Sequence, residues 1–534
     1  MRRLVALAAV GALLASPSGE PGSTREGGTL RVVFPSTEFD SIDPALSYSV
    51  PSGVLLETTC ARLMTYSDKG LRLVPEVAAA HPRVSPDQRT YTFTVRPGFR
   101  FNDGTPVRAS AFARAIERTL ARGVQSPGAQ YTSDVVGAKA FRAGRAASLA
   151  GVTARGDRLV VRFTRPVPDF AVRTTMLFFC AVPPTLPADP EGVGAFPAAG
   201  PYYVAEYRPG RRVVLMRNRF YRGAREHHVD RFDVDLGADS QEEVLDRIER
   251  GTADYGWVPP PLYFDPSRRL AAKYGVNESQ FLVTPGFALR AYAFNTSRPL
   301  FRDNLRLRQA VNFAIDRAAI RRISGGPAIS RLTDQYLPPT LPGFSNARIY
   351  PLQRPDVRRA RALARGHTRG GKAVLYTFDV PLPLAIAQII KRNLAEIGLE
   401  VRVKGIPPPV YGGRVARPGE PYDLAFLPWA PDYLDPFSYL NVFFDGRYAG
   451  DANFANFAKF NSPKYNRLLR RAARLQGSAR RRAYGHLDVQ LARDAAPLVA
   501  IDFLNDPTLV SKRVGCAARR AQHASFDLAA VCLK

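Results

Sequence analysis

The sequence predicts an α/β protein built as more than one lobe, and three observations carry that reading. Its 534 residues exceed what one ordinary core holds, so two or three lobes are expected. Hydrophobic residues make up 46% and aromatic residues 10%, the composition of a folded chain. The stretch "LAIAQIIKRNLAEIGLEVRVKGI" then reads as helix, stop and strand. Ile386, Ile390, Leu394 and Ile397 recur at helical spacing, Gly398 supplies a left-handed stop, and Leu399, Val401 and Val403 alternate. Such a unit belongs to an α/β lobe.

The other elements follow in chain order. "MRRLVALAAVGALLASPSGE" has a basic start, an apolar run from Leu4 to Ala15 and then small residues. That is the layout of a secretory signal peptide, with cleavage expected between Ala15 and Gly22. The run is short for a bilayer span, and no later segment is apolar for long enough. "GGTLRVVF" is a strand with Leu30, Val32 and Phe34 on one face, and "TYTFTVRPGFRF" alternates through Tyr91, Phe93 and Val95. After the turn "NDGTP", a helix over 109–120 sets Phe112, Ile116 and Leu120 on one side. "DRLVVRF" and "RRVVLMRN" are further strands. "NLRLRQAVNFAIDRAAI" reads as a helical run through Leu307, Val311, Ala314, Ile315 and Ala318. The segment 462–503 gives two more helices and a strand.

Charge sets a second constraint. The chain carries 75 Lys and Arg against 47 Asp and Glu, a formal charge of +28. That balance suits an anionic membrane or wall nearby. No zinc-finger, RNP or helix-turn-helix motif accompanies it, so no nucleic-acid partner is expected. Four cysteines suit an exported chain: Cys516 and Cys532 are candidates for a bridge in the tail and Cys60 and Cys180 for a second, although the sequence permits three connectivities.

Enzyme motifs are absent: there is no GxSxG elbow and no HExxH. "GHTRGGKA" approaches a phosphate-binding loop, but Ala373 stands where a hydroxyl must meet magnesium, and helix–loop–strand is the wrong order. The six histidines have no partner at metal-ligand spacing. No enzyme, cofactor or metal is expected.

The chemistry concentrates in "YDLAFLPWAPDYLDPFSYLN", where an apolar strand from Tyr422 to Leu427 runs into a Trp and two aspartates. Ligand sites of α/β domains favour this place, outside the carboxyl ends of strands. Asp435, followed by Pro436, reads as a helix start. Asp432, between Pro431 and Tyr433 and three residues after Trp429, has no such structural duty in view. A carboxylate among aromatic rings suits an ammonium group, through a charge-assisted hydrogen bond and a cation–π contribution.

With these blocks in order the chain resembles the family 5 extracellular solute-binding proteins of ABC importers, which include oligopeptide- and dipeptide-binding proteins. The resemblance rests on "GGTLRVVFPSTEFDSIDPAL", "LVPEVAAAHPRVSPDQRTYTFTVRPGFRFNDGTPVRASAFARAIER", "GPYYVAEYRPGRRVVLMRNRFYRG", "AFNTSRPLFRDNLRLRQAVNFAIDRAAI" and the tryptophan-containing block. It implies a two-lobed, periplasmic-binding-protein-like fold (type II, cluster C) with an extra inserted subdomain. Lobe I would be discontinuous over 27–66, 199–292 and 500–534. The inserted subdomain would take 67–198 and lobe II 293–499. It implies capture of a peptide or similar amine-bearing solute between closing lobes, and delivery to an ABC permease. The ammonium would go to Asp432, Trp429 would lie against the ligand beside Tyr433, and backbone near Phe34 and Ala430 would pair with an extended peptide. Many Gram-positive members carry a lipoprotein cysteine at the cleavage site, and this leader has none. A free periplasmic or secreted monomer, peripheral to an anionic surface, is therefore expected. Two other classes remain open from sequence: an exported hydrolase on the same fold, and a basic envelope protein binding an anionic polymer.

Overall fold

Eleven strands form one mixed sheet in the computed structural model, which describes residues 26–67, 71–257, 267–449, 455–516 and 526–534. The expected leader, 1–22, lies outside the described residues. In chain order the strands are β1 (Thr29–Pro35), β2 (Tyr202–Arg208), β3 (Arg212–Arg217), β4 (Arg231–Ala238), β5 (Tyr255–Trp257), β6 (Phe281–Phe294), β7 (Ser330–Leu332), β8 (Lys372–Phe378), β9 (Glu400–Ile406), β10 (Leu424–Trp429) and β11 (Leu498–Val510). Across the sheet they run β9-β8-β10-β6-β11-β5-β1-β4-β3-β2, with β7 beside β11.

The sheet carries a separate core at each end, and these are the two lobes. At one end Leu30, Val32 and Phe34 of β1 pack with Phe232 and Val234 of β4 and with Val531 and Leu533 of the tail. At the other, Leu375, Val401, Leu424 and Phe426 pack against helix α3 (Pro381–Ala395), which buries Ile386, Ile390 and Leu394. Gly398 has φ +81°, a conformation that costs an L side chain energy, and so turns α3 into β9. Earlier in the chain are α1 (Val50–Thr59) and α2 (Ala109–Leu120). α2 packs on a four-stranded antiparallel sheet (Arg83–Val84, Thr90–Thr94, Arg158–Arg162, Val152–Arg155), and Phe93, Phe112, Ile116 and Phe170 form the core of this inserted subdomain.

The lobes are joined by β6 and β11, which pair antiparallel from Phe281 and Leu509 to Ala293 and Leu498. Arg290 and Asp502 face each other there, buried, with Nε–Oδ1 at 2.8 Å; Ser330 of β7 donates to Asp502 at 2.6 Å and Arg290 donates to Ser324 at 2.9 Å. Removing one partner of such a buried pair leaves the other charge uncompensated, which is strongly destabilising. The register slips between Thr284 and Ala288. Gly286 lies in that slip, where an added Cβ would stand 2.2 Å from the Leu504 carbonyl oxygen, so only glycine lets the strands approach.

One reading from periodicity is corrected. The run 304–320 is two helices, Leu305–Ala314 and Arg317–Ile323. The first ends at Ala314 with Ile315 as its cap, and Asp316 caps the second by accepting from the Ala319 N–H at 2.8 Å, which period counting alone does not show. The cysteines pair as Cys60–Cys180 and Cys516–Cys532. In the second lobe α4 (Pro463–Arg474) and α5 (Gly477–Gln490) lead into β11.

Candidate ligand-binding site

β10 is buried from Leu424 to Leu427 and pairs with β6 as far as Trp429 and Leu289. The chain then leaves the sheet into the loop that holds both aspartates. Asp435 is structural: it accepts from the Phe437 N–H at 2.8 Å and binds Arg480 of α5, with Nη2–Oδ1 at 2.6 Å and Nε–Oδ2 at 3.2 Å. Those bonds pin the far end of the loop, and Asp432 is held between two pinned ends.

Asp432 meets a residue of the other lobe. The Tyr48 hydroxyl donates to its Oδ1 at 2.7 Å, and the Tyr131 hydroxyl also bonds the carboxylate. Tyr48 stands just before α1, where Asp40 accepts from the N–H groups of Tyr48 and Ser49, both at 2.7 Å. Ser49 in turn caps α1 by accepting from Ser52 N–H at 3.3 Å. This closed turn holds the Tyr48 ring outward, 55% exposed. Phe178 packs near both phenols, with ring centroids 6.3 Å from Tyr48 and 6.1 Å from Tyr131.

The electrostatics follow from these partners. Burial pushes the Asp432 carboxyl above the usual carboxylate range, and the Tyr131 and Tyr48 hydroxyls offset only part of it. No basic side chain among the described residues forms an ion pair with Asp432. In a chain with 75 Lys and Arg, this half-buried carboxylate is bonded by neutral groups, the Tyr48 and Tyr131 hydroxyls among them.

The other residues singled out from sequence divide. Ala430 is exposed beside Asp432. Trp429 is half-buried and edge-on to Phe443 at 5.7 Å, and its indole Nε1 has no hydrogen-bond partner among the described residues. Tyr433 is turned the other way: its ring is buried, and its hydroxyl donates to Asp169 Oδ2 at 2.6 Å, so it supports the loop and offers no surface. The Phe34 ring is fully buried against Tyr255, which leaves only its backbone, where the β1–β4 register breaks between Val33 and Pro35. Tyr48, Tyr131 and Phe178 were not found from sequence. They lie hundreds of residues from Asp432 in segments without a local motif.

Two lobes that share one mixed sheet through β6 and β11, with an inserted subdomain, define a periplasmic-binding-protein-like architecture. The model of the bacterial extracellular solute-binding proteins, family 5, matches residues 72–451, and the chain belongs to that family. It is 24% identical over 475 residues to the oligopeptide-binding protein OppA of Bacillus subtilis, covering 85% of this chain and 83% of that one. It is 24% identical over 515 residues to the periplasmic oligopeptide-binding protein OppA of Salmonella typhimurium, covering 90% and 88%. Among solved structures, clavulanic acid biosynthesis oligopeptide binding protein 2 superposes with a TM-score of 0.83 at 25% identity, over 96% of each chain. The unliganded open form of the murein tripeptide-binding protein MppA gives 0.77 at 21% identity, over 96% of this chain and 99% of that one.

Proposed function

We propose that this chain captures a short peptide, or a similar solute with a free amine, between its lobes and delivers it to an ABC permease. The observation that carries the reading is the Asp432 carboxylate, held by phenol hydroxyls of the facing segments with no basic partner among the described residues. A ligand ammonium would sit on that carboxylate, over the rings of Tyr48 and Phe178, and its charge would reverse the burial that opposes ionisation. The Trp429 indole N–H, without a partner among the described residues, and the backbone at Ala430 and Phe34 would meet the rest of an extended ligand. β6 and β11, with the slip at Gly286, would serve as the hinge. The peptide-binding names of the relatives favour a peptide over other amines.

The protein works as a monomer outside the cytoplasm, near an anionic membrane or wall that its charge favours. A thermal-shift assay of the leader-free chain tests the reading, with a pool of di- to pentapeptides run beside its N-acetylated twin. A ligand at a hundred times its dissociation constant adds about 2.7 kcal/mol. Stabilisation by the free-amine pool alone is expected. Equal stabilisation by both pools would remove Asp432 from the reading, and none by either would remove peptides.

A further inference from the structure

Outside the ligand cleft, a concavity of about 100 Å³ opens between residues 165–173 of the inserted subdomain and α4 of the second lobe. Arg165, Arg173, Arg447, Arg470 and Arg474 line it, with Asp169 as the one lining acid. Three of the five guanidinium groups are already matched. Arg173 pairs with Asp169 at 2.9 Å, Arg165 with Asp134 at 2.7 Å, and Arg447 with Asp445 at 2.8 Å. Arg470 and Arg474 are exposed and form no ion pair among the described residues.

Nothing nearby in sequence balances them. From Pro463 to Leu487 the chain has eight Lys and Arg and no Asp or Glu. On α4, Lys464, Arg467, Arg471 and Arg474 repeat at three- and four-residue steps along the face opposite the buried Tyr465, Leu469, Ala472 and Ala473. The unbalanced charge is therefore directed to the outer face and, through Arg470 and Arg474, into the concavity. Guanidinium groups gathered in one recess repel each other unless an anion joins them, and their planar forks match the oxygens of a phosphate group. The recess also spans a seam: the Gln88 side-chain amide donates to the Arg474 carbonyl at 2.7 Å, and Tyr433 donates to Asp169 across it.

The geometry points to a phosphate-binding site in this recess, distinct from the peptide cleft, in which Arg470 and Arg474 hold the group. A phosphate there ties the inserted subdomain to the second lobe. Two sources carry such a group: free phosphate or pyrophosphate in solution, and the headgroup of an anionic lipid.

The test uses the leader-free chain without peptide. Sodium pyrophosphate is titrated at low ionic strength, with sodium chloride at matched ionic strength as control, and melting temperature and binding heat are followed. A saturable rise of roughly 2 °C or more beyond chloride is expected. It should be lost in R470A/R474A, weakened but kept in R470K/R474K, and unchanged in R481A/R482A, whose exposed arginines lie on α5. All of these positions are exposed, so the variants fold. An equal rise with chloride, or one that survives R470A/R474A, overturns the site. Sedimentation with phosphatidylglycerol and phosphatidylcholine vesicles separates the sources. Capture by the former that pyrophosphate reverses assigns the lipid headgroup, and saturable pyrophosphate binding without capture assigns free phosphate.

Discussion

Replacing Asp432 with Asn keeps the size of the side chain and one carbonyl oxygen, so a Tyr48 or Tyr131 hydroxyl still has an acceptor and the loop stays pinned by Asp435 and Arg480. What disappears is the negative charge. A hydrogen bond to a charged group contributes about 1.5–3 kcal/mol, which converts to a loss of roughly 12- to 150-fold in affinity. The upper part of that range applies where the carboxylate is sheltered, and burial has raised its pKa here, so a sheltered environment is present. Calorimetric titration at pH 7.5 with a tripeptide and its N-acetyl twin separates charge from shape. Asp432→Asn should weaken the free-amine peptide by the stated factor and change the N-acetyl peptide little. Equal losses for the two, or no loss for either, would refute the assignment of the ammonium to Asp432.

Affinity for the free-amine peptide should fall on acidification, because the protonated Asp432 carboxyl cannot pair with an ammonium. Since burial raises its pKa, the fall should begin at a higher pH than an exposed aspartate would give, and Asp432→Asn should titrate flat by calorimetry. Arg118→Ala removes the two bonds, at 2.8 and 2.6 Å, that Arg118 makes to the buried Asp43, and should cost about 3–5 kcal/mol in urea unfolding. Asp488 is fully buried, accepting from the Tyr336 N–H at 2.8 Å and the Gln335 amide at 3.0 Å, and burial pushes its carboxyl up to about 7. A carboxyl whose folded pKa lies above its unfolded value stabilises the fold in acid, and that stability is lost as pH rises through the folded value. The stability of the wild type relative to Asp488→Asn should therefore fall between about pH 4 and about pH 7 in denaturation midpoints.

Local periodicity and turn chemistry made much of the fold legible. The α3–Gly398–β9 unit, the apolar run of β10 and the duty of Asp435 at the loop end all follow from neighbours within a few residues. What period counting missed was decided over long separations. Tyr48 lies 384 positions before Asp432, and only the tertiary fold brings them together. Tyr433 was read with its neighbour because both sit in one loop, yet adjacent side chains diverge, and a buried acid 264 positions away, Asp169, takes its hydroxyl. The Phe34 ring was legible as an inward residue of an alternating strand, and that same alternation removes it from the cleft. Sequence spacing carries direction along one element; it does not carry which loops from other elements face it.

A crystal structure of the leader-free chain with a bound free-amine tripeptide is the most direct measurement. The peptide should lie between the lobes with its terminal nitrogen at hydrogen-bond distance, about 2.7–3.0 Å, from a carboxylate oxygen of Asp432. Its backbone should run past Trp429 and Ala430. A peptide bound between the lobes with its amine in solvent or on another carboxylate would contradict the site, and a peptide bound outside the cleft would contradict the mode of capture.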